Sequence, residues 1–207
     1  MTLDGAPSEA DIATAQSARY SGTAIVLHWL IGIAIVCQIA VGWYITTIAR
    51  GTPLRSLVTN LHKSTGLILG VLILARLAWR LANAAPAWPL SMPSWQRRAA
   101  RWNHLALYAC MIIMPSSGYI ASNFSRFGVK LFNSVLLPPW GPDSPAWYAV
   151  FNGVHVVTGY LLAFLVIVHI LAALRHAWQR DGIMARMSFA ARIGRADPND
   201  SLPSGTT

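Results

Sequence analysis

Two histidines, His155 and His169, lie in one apolar run, fourteen residues apart. At about 1.5 Å of rise per residue, a helix separates them by roughly 21 Å. Fourteen steps of about 100° also return the second ring to within about 40° of the first. One membrane-length helix therefore aims two imidazoles in the same direction, one toward each side of a bilayer. Ionisable side chains inside a membrane mark functional sites, and neutral imidazole is a common metal ligand. The chemistry this spacing offers is two stacked metal-cofactor sites.

Four apolar stretches, about residues 23–48, 61–81, 103–123 and 147–178, are long enough to span hydrocarbon and carry these rings. Lipid admits only helices and closed barrels. The stretches lack the period-2 alternation of barrel strands, so the expectation is an all-α, four-helix transmembrane bundle. The chain has 207 residues, 55% of them hydrophobic and 11% charged, against about 25% charged in a soluble domain. Nine Trp and six Tyr fit interfacial belts. A net charge of +9 does not indicate nucleic acid, because the basic residues sit at the ends of apolar runs. One side holds Arg19, Arg76, Arg80, Arg97, Arg98, Arg101, Arg175, Arg180, Arg186, Arg192 and Arg195; the other holds Arg50, Arg55, Lys63, Arg126 and Lys130. The more basic side is expected to be cytoplasmic, with both termini.

Only Cys37 and Cys110 are present, and no CxxCH or CxxC motif occurs. Covalent c-type haem and the usual zinc or iron–sulfur patterns are thereby excluded. Residues 1–18 are polar, hold Asp4, Glu9 and Asp11, and lack a basic n-region, so a tail is expected rather than a signal peptide. Residues 19–187 form the membrane domain, and 188–207 are expected to be a disordered tail. The link 84–94, with Pro86, Pro89 and Pro93, is expected to be extended. The loop 124–146 has an apolar middle, 129–140, suited to lying along the outer interface or over a cofactor edge. Met114-Pro115 predicts a kink in the third span, and Gly118 permits close approach of another group.

Six histidines are present, and topology sorts four of them by depth. His28 and His169 share the inner half; His62 and His155 share the outer half. A single intramembrane histidine commonly just hydrogen-bonds between helices. Four that fall into two matched pairs suit the axial positions of haem iron instead, and zinc would ask for a tighter four-ligand cluster. With both axial positions filled, the iron would carry electrons rather than bind oxygen. His104 and His176 lie near the cytoplasmic interface, without an obvious opposing partner at matching depth. They suit contact with a quinone head group or a haem propionate. The outer basic residues can focus a small anion, and Lys63, directly after His62, is the best single candidate.

At these residues the chain resembles the bacterial cytochrome b561 family, over about residues 19–187. The matching motifs are Leu27-His28-Trp29-Leu30, Leu61-His62-Lys63-Ser64-Thr65-Gly66, Arg76-Leu77-Ala78-Trp79-Arg80-Leu81, His104-Leu105-Ala106-Leu107-Tyr108, Met114-Pro115-Ser116-Ser117-Gly118-Tyr119, and His155, Gly159-Tyr160, His169 and His176. Leu131-Phe132 and Leu137-Pro138 match in the outer loop, where Asn133 stands in place of a frequent glycine. The resemblance implies a multi-pass protein of the bacterial inner membrane with two haem b groups, ligated by His28, His62, His155 and His169. The depth argument pairs His28 with His169 and His62 with His155. His104 is a motif residue not carried over as a ligand.

One branch of the family oxidises superoxide at the outer haem and reduces ubiquinone. That implies superoxide steering by Lys63 and the positive outer face, with quinone candidates His176, Arg80 and Arg101 placed by depth. The alternative is a cytochrome b membrane anchor passing electrons between quinone and a soluble redox protein. Such anchors carry extra helices or large contact loops that this chain lacks.

Overall fold

The computed structural model describes residues 19–83, 85–88 and 92–188. Residues 1–18, Pro89 and nearly all of the expected C-terminal tail lie outside the described residues. Four helices dominate: α1 (Gly22–Thr47), α2 (Pro53–Ala82), α3 (Ser94–Asn123) and α4 (Pro145–Gln179). Each is long and apolar enough to cross a membrane. A hairpin of β1 (Val129–Leu131) and β2 (Val135–Leu137) joins α3 to α4, and a 3-10 turn (Met184–Met187) follows α4.

Local sequence sets the helix starts. Ser21, Thr52 and Ser144 each accept a hydrogen bond from the backbone N–H three residues on, capping α1, α2 and α4. Pro53 and Pro145 occupy first-turn positions, where no N–H is needed. Two helices outrun their apolar stretches. α2 begins eight residues before Leu61, and α3 begins nine residues before Asn103. Their polar first turns are good helical sequence and need no lipid around them.

The inward faces meet in a small core of Ile31, Ile35, Leu69, Ile73, Met111 and Leu162 with their neighbours. Large apolar side chains elsewhere, such as Val71, Val157, Phe164 and Leu171, stay exposed on the bundle surface. That is the arrangement expected where the surrounding solvent is lipid. α4 packs along α3, and α1 along α2, with α2 also against α3. α4 meets α1 at only a few positions. Pro115 sits inside α3 and packs on Gly70 of α2, where a Cβ would stand 3.4 Å from the Pro115 Cβ.

The apolar middle of the 124–146 loop is a hairpin, which composition did not foretell. Its turn places Phe132 and Asn133 at φ of 45° and 59°, the left-handed pair of a type I′ turn. Asn tolerates that region best among non-glycine residues, which explains how it can stand where glycine is frequent. The hairpin is latched to α2. Phe132 N–H donates to Ser64 Oγ (2.8 Å), Asn60 Nδ2 to Asn133 Oδ1 (2.8 Å), and Lys63 Nζ to the Gly128 carbonyl (3.1 Å).

Candidate functional site

The helices bring the predicted histidine pairs together across the side where α4 faces α1 and α2. At the hairpin end, the His62 and His155 ring centroids are 6.2 Å apart. At the far end, those of His28 and His169 are 6.0 Å apart. Two imidazoles sharing one iron through bonds of roughly 2 Å need ring centroids about 6 Å apart. Both pairs meet that requirement. Among the described residues, no three His, Cys, Asp or Glu side chains converge as a ligand set for a bare ion. The donor sets therefore fit a planar metal cofactor gripped from two sides.

The hairpin-end pair is seated by small residues and a backbone carbonyl of α3. His155 Nδ1 lies 2.8 Å from the Met114 carbonyl, one residue before Pro115. A carbonyl can only accept, so Nδ1 carries the proton and Nε2 remains as the available ligand. Gly118 makes this possible: a Cβ there would sit 2.8 Å from His155 Nδ1. Gly42 lies against His62, where a Cβ would be 3.4 Å from Cε1. His62 Nδ1 is buried with no hydrogen-bond partner among the described residues, a costly state for a polar atom unless a ligand uses it or orders its surroundings. An apolar cavity runs between this pair, Gln38, Ile39, Met114 and Pro115 and down to Ile73.

Gln38 is a wall residue that sequence reasoning missed. Its Nε2 donates to Thr65 Oγ1 (2.8 Å) and to the His62 carbonyl (3.1 Å), tying α1 to the ligand-bearing turn of α2. The available signal was a lone amide inside the most apolar span.

The far end corrects one expectation. His104 does have an opposing partner: its ring is 5.3 Å from His169, nearer than His28. His104 lies ten residues after Ser94, and His169 ten residues before Gln179. Both are thus about 15 Å inside their helices. Placing the helix start at Asn103 had left His104 at the surface. His104 Nδ1 is 2.6 Å from the Ala100 carbonyl, which leaves its Nε2 bare. His176 also has a partner, Asp181, with Nδ1 to Oδ2 at 2.5 Å. Asp181 Oδ1 accepts from Ile183 N–H, closing the turn after α4.

The remaining candidates separate. Lys63 is half-buried, its ammonium donating to the Gly128 carbonyl rather than projecting outward. Arg80 is exposed and stacks over Tyr20 at 5.6 Å, and Arg101 is exposed. Among the described residues, neither arginine bonds to His176. The far end is closed by Trp29 Nε1 donating to the Met187 carbonyl (2.9 Å) and Arg186 donating to the Ala87 carbonyl (2.6 Å).

A profile of the prokaryotic cytochrome b561 family matches residues 19–190. The chain belongs to the prokaryotic cytochrome b561 family. It is 27% identical over 170 residues to cytochrome b561 homolog 2 of Escherichia coli (strain K12), covering 82% of this chain and 90% of that protein. It is 26% identical over 174 residues to cytochrome b561 homolog 1 of the same organism, covering 82% and 96%. The chain is thus a bacterial membrane protein of an electron-transferring family that binds b-type haem.

Proposed function

We propose that this chain holds two b haems, one between His28 and His169 and one between His62 and His155, and works as a superoxide:ubiquinone oxidoreductase. The observation that carries this is the pair of opposed imidazole sets, at 6.0 and 6.2 Å, stacked along α4. Bound there, b haem supplies a reversible one-electron carrier. With two imidazoles holding the cofactor at each site, no coordination position would remain for oxygen, which would favour electron passage over oxygen binding. The balanced reaction joins two superoxide anions, one quinone and two protons to give two O₂ and one quinol.

On this reading the hairpin end faces the periplasm and both termini the cytoplasm. The hairpin and the Asn60–Ser64 turn cover the first site. Lys63, Arg55 and the exposed Arg50 and Lys130 keep that surface positive, and Arg126 is met by Asp143 at 3.6 Å. Such a field raises the encounter rate of a small anion. At the far end, His176, oriented by Asp181, can hydrogen-bond a quinone carbonyl and hand over a proton. Arg80 and Arg101 lie on the same end of the bundle.

Superoxide pulses on detergent-purified protein test the reading. Reduction of the cytochrome absorbance by superoxide, followed by reoxidation on adding ubiquinone, is expected. Absorbance that ignores superoxide and responds only to a co-purified redox protein would favour the membrane-anchor alternative.

A further inference from the structure

We infer that Arg76 is the carboxylate clamp of the far-end site, leaving His28 for a haem propionate when the cofactor enters. The inference rests on the haem reading above. Arg76 donates to the Ala24 carbonyl at 2.9 Å, and its other terminal nitrogen lies 3.2 Å from His28 Nδ1. A guanidinium has five N–H donors and no acceptor. In this contact His28 Nδ1 must therefore accept, and the ring proton sits on Nε2.

That arrangement cannot survive metal binding. If His28 ligates iron through Nε2, its proton moves to Nδ1 and two donors face each other. If it ligates through Nδ1, iron takes the place of the guanidinium. Either way the half-buried Arg76 loses one acceptor and needs another, since a cation inside a membrane bundle is costly without a partner. The protein offers no carboxylate for it among the described residues. Of seven Asp and Glu in the chain, only Asp143 and Asp181 are described; one pairs with Arg126 and the other with His176. Arg76 stands instead among His28, His104 and His169.

The incoming cofactor supplies the missing anions, because b haem carries two propionates. The planar fork of Arg suits a carboxylate bidentately. The bond to the Ala24 carbonyl can persist as the anchor of the swing. Arg76 is thus a positioning residue: it holds the cofactor edge and releases His28 to ligate.

The test titrates apo-protein carrying His155→Ala, which isolates the far-end site, with haemin and with haemin dimethyl ester, whose carboxylates are blocked. Binding is read from the Soret band. The unsubstituted Arg76 protein is expected to take haemin about tenfold more tightly than the ester. Arg76→Gln is expected to remove that preference by weakening haemin alone, and Arg76→Lys to restore part of it. Equal binding of haemin and ester with Arg76 present would overturn the clamp, and this arm needs no Arg76 variant to fold. So would Arg76→Gln weakening both ligands equally. Failure of both ligands to bind a folded protein with His28 and His169 intact would overturn the clamp together with the haem reading.

Discussion

The two histidine sites are built in opposite ways. At the hairpin end, His155 is fixed by the Met114 carbonyl and seated against Gly118, His62 rests on Gly42, and Gln38 braces the turn from behind. Its walls are apolar, and the hairpin is latched over it by three residues within two turns of α2. At the far end, His169 faces two rings rather than one, and Arg76 stands beside them. One site is set by backbone and small residues; the other keeps polar groups that can change partners. The difference teaches that helices carrying the same ligand type can give one rigid seat and one adaptable seat.

The largest expected effect breaks that contrast directly. His62→Ala or His155→Ala leaves the hairpin end without a substitute imidazole, so its haem should be lost entirely. His28→Ala leaves His104 beside His169, so a weakened far-end haem should persist. Haem content and low-spin absorbance of each purified variant check both halves. Equal and complete loss at both ends would abolish the contrast.

Next is Gly118→Ala. A methyl group 2.8 Å from His155 Nδ1 must displace the ring, and overpacking of this kind costs roughly 1–3 kcal/mol. Haem affinity at the hairpin end should fall about tenfold or more, with the far end unchanged. Gly32→Ala is the control, since nothing lies within 4 Å of a Cβ there. Similar losses from both substitutions would mean that the seat is not what matters.

These sites were partly legible in the sequence. Fourteen-residue spacing put His155 and His169 on one face, and the apolar runs gave all four spans. The depth of His104 was not legible, because α3 starts in a polar segment that hydropathy assigns to the loop. The hairpin was hidden because its strands are three residues long and its left-handed turn positions hold Phe132 and Asn133 instead of Asn-Gly. Asp181 was overlooked because its partner His176 is set by the turn after α4, not by helix periodicity.

A smaller effect concerns the latch. Ser64 is fully buried, and its hydroxyl accepts the Phe132 N–H while donating to the Asn60 carbonyl. Ser64→Ala should cost about 1–2 kcal/mol locally, speeding hydrogen exchange across the hairpin about tenfold. Unchanged exchange would show that Asn60 and Lys63 suffice. The smallest effect is at the far end: Asp181→Asn should leave haem content intact and slow quinone reduction several-fold. A parallel loss of haem would give Asp181 a structural role instead.

The most direct measurement is the haem-to-protein ratio of folded, detergent-purified protein, alone and with His62→Ala, His169→Ala or both. The account predicts two haems per chain, one in each single variant, and none in the double variant. A folded wild-type protein holding one haem or none, or single variants that keep both, would contradict it.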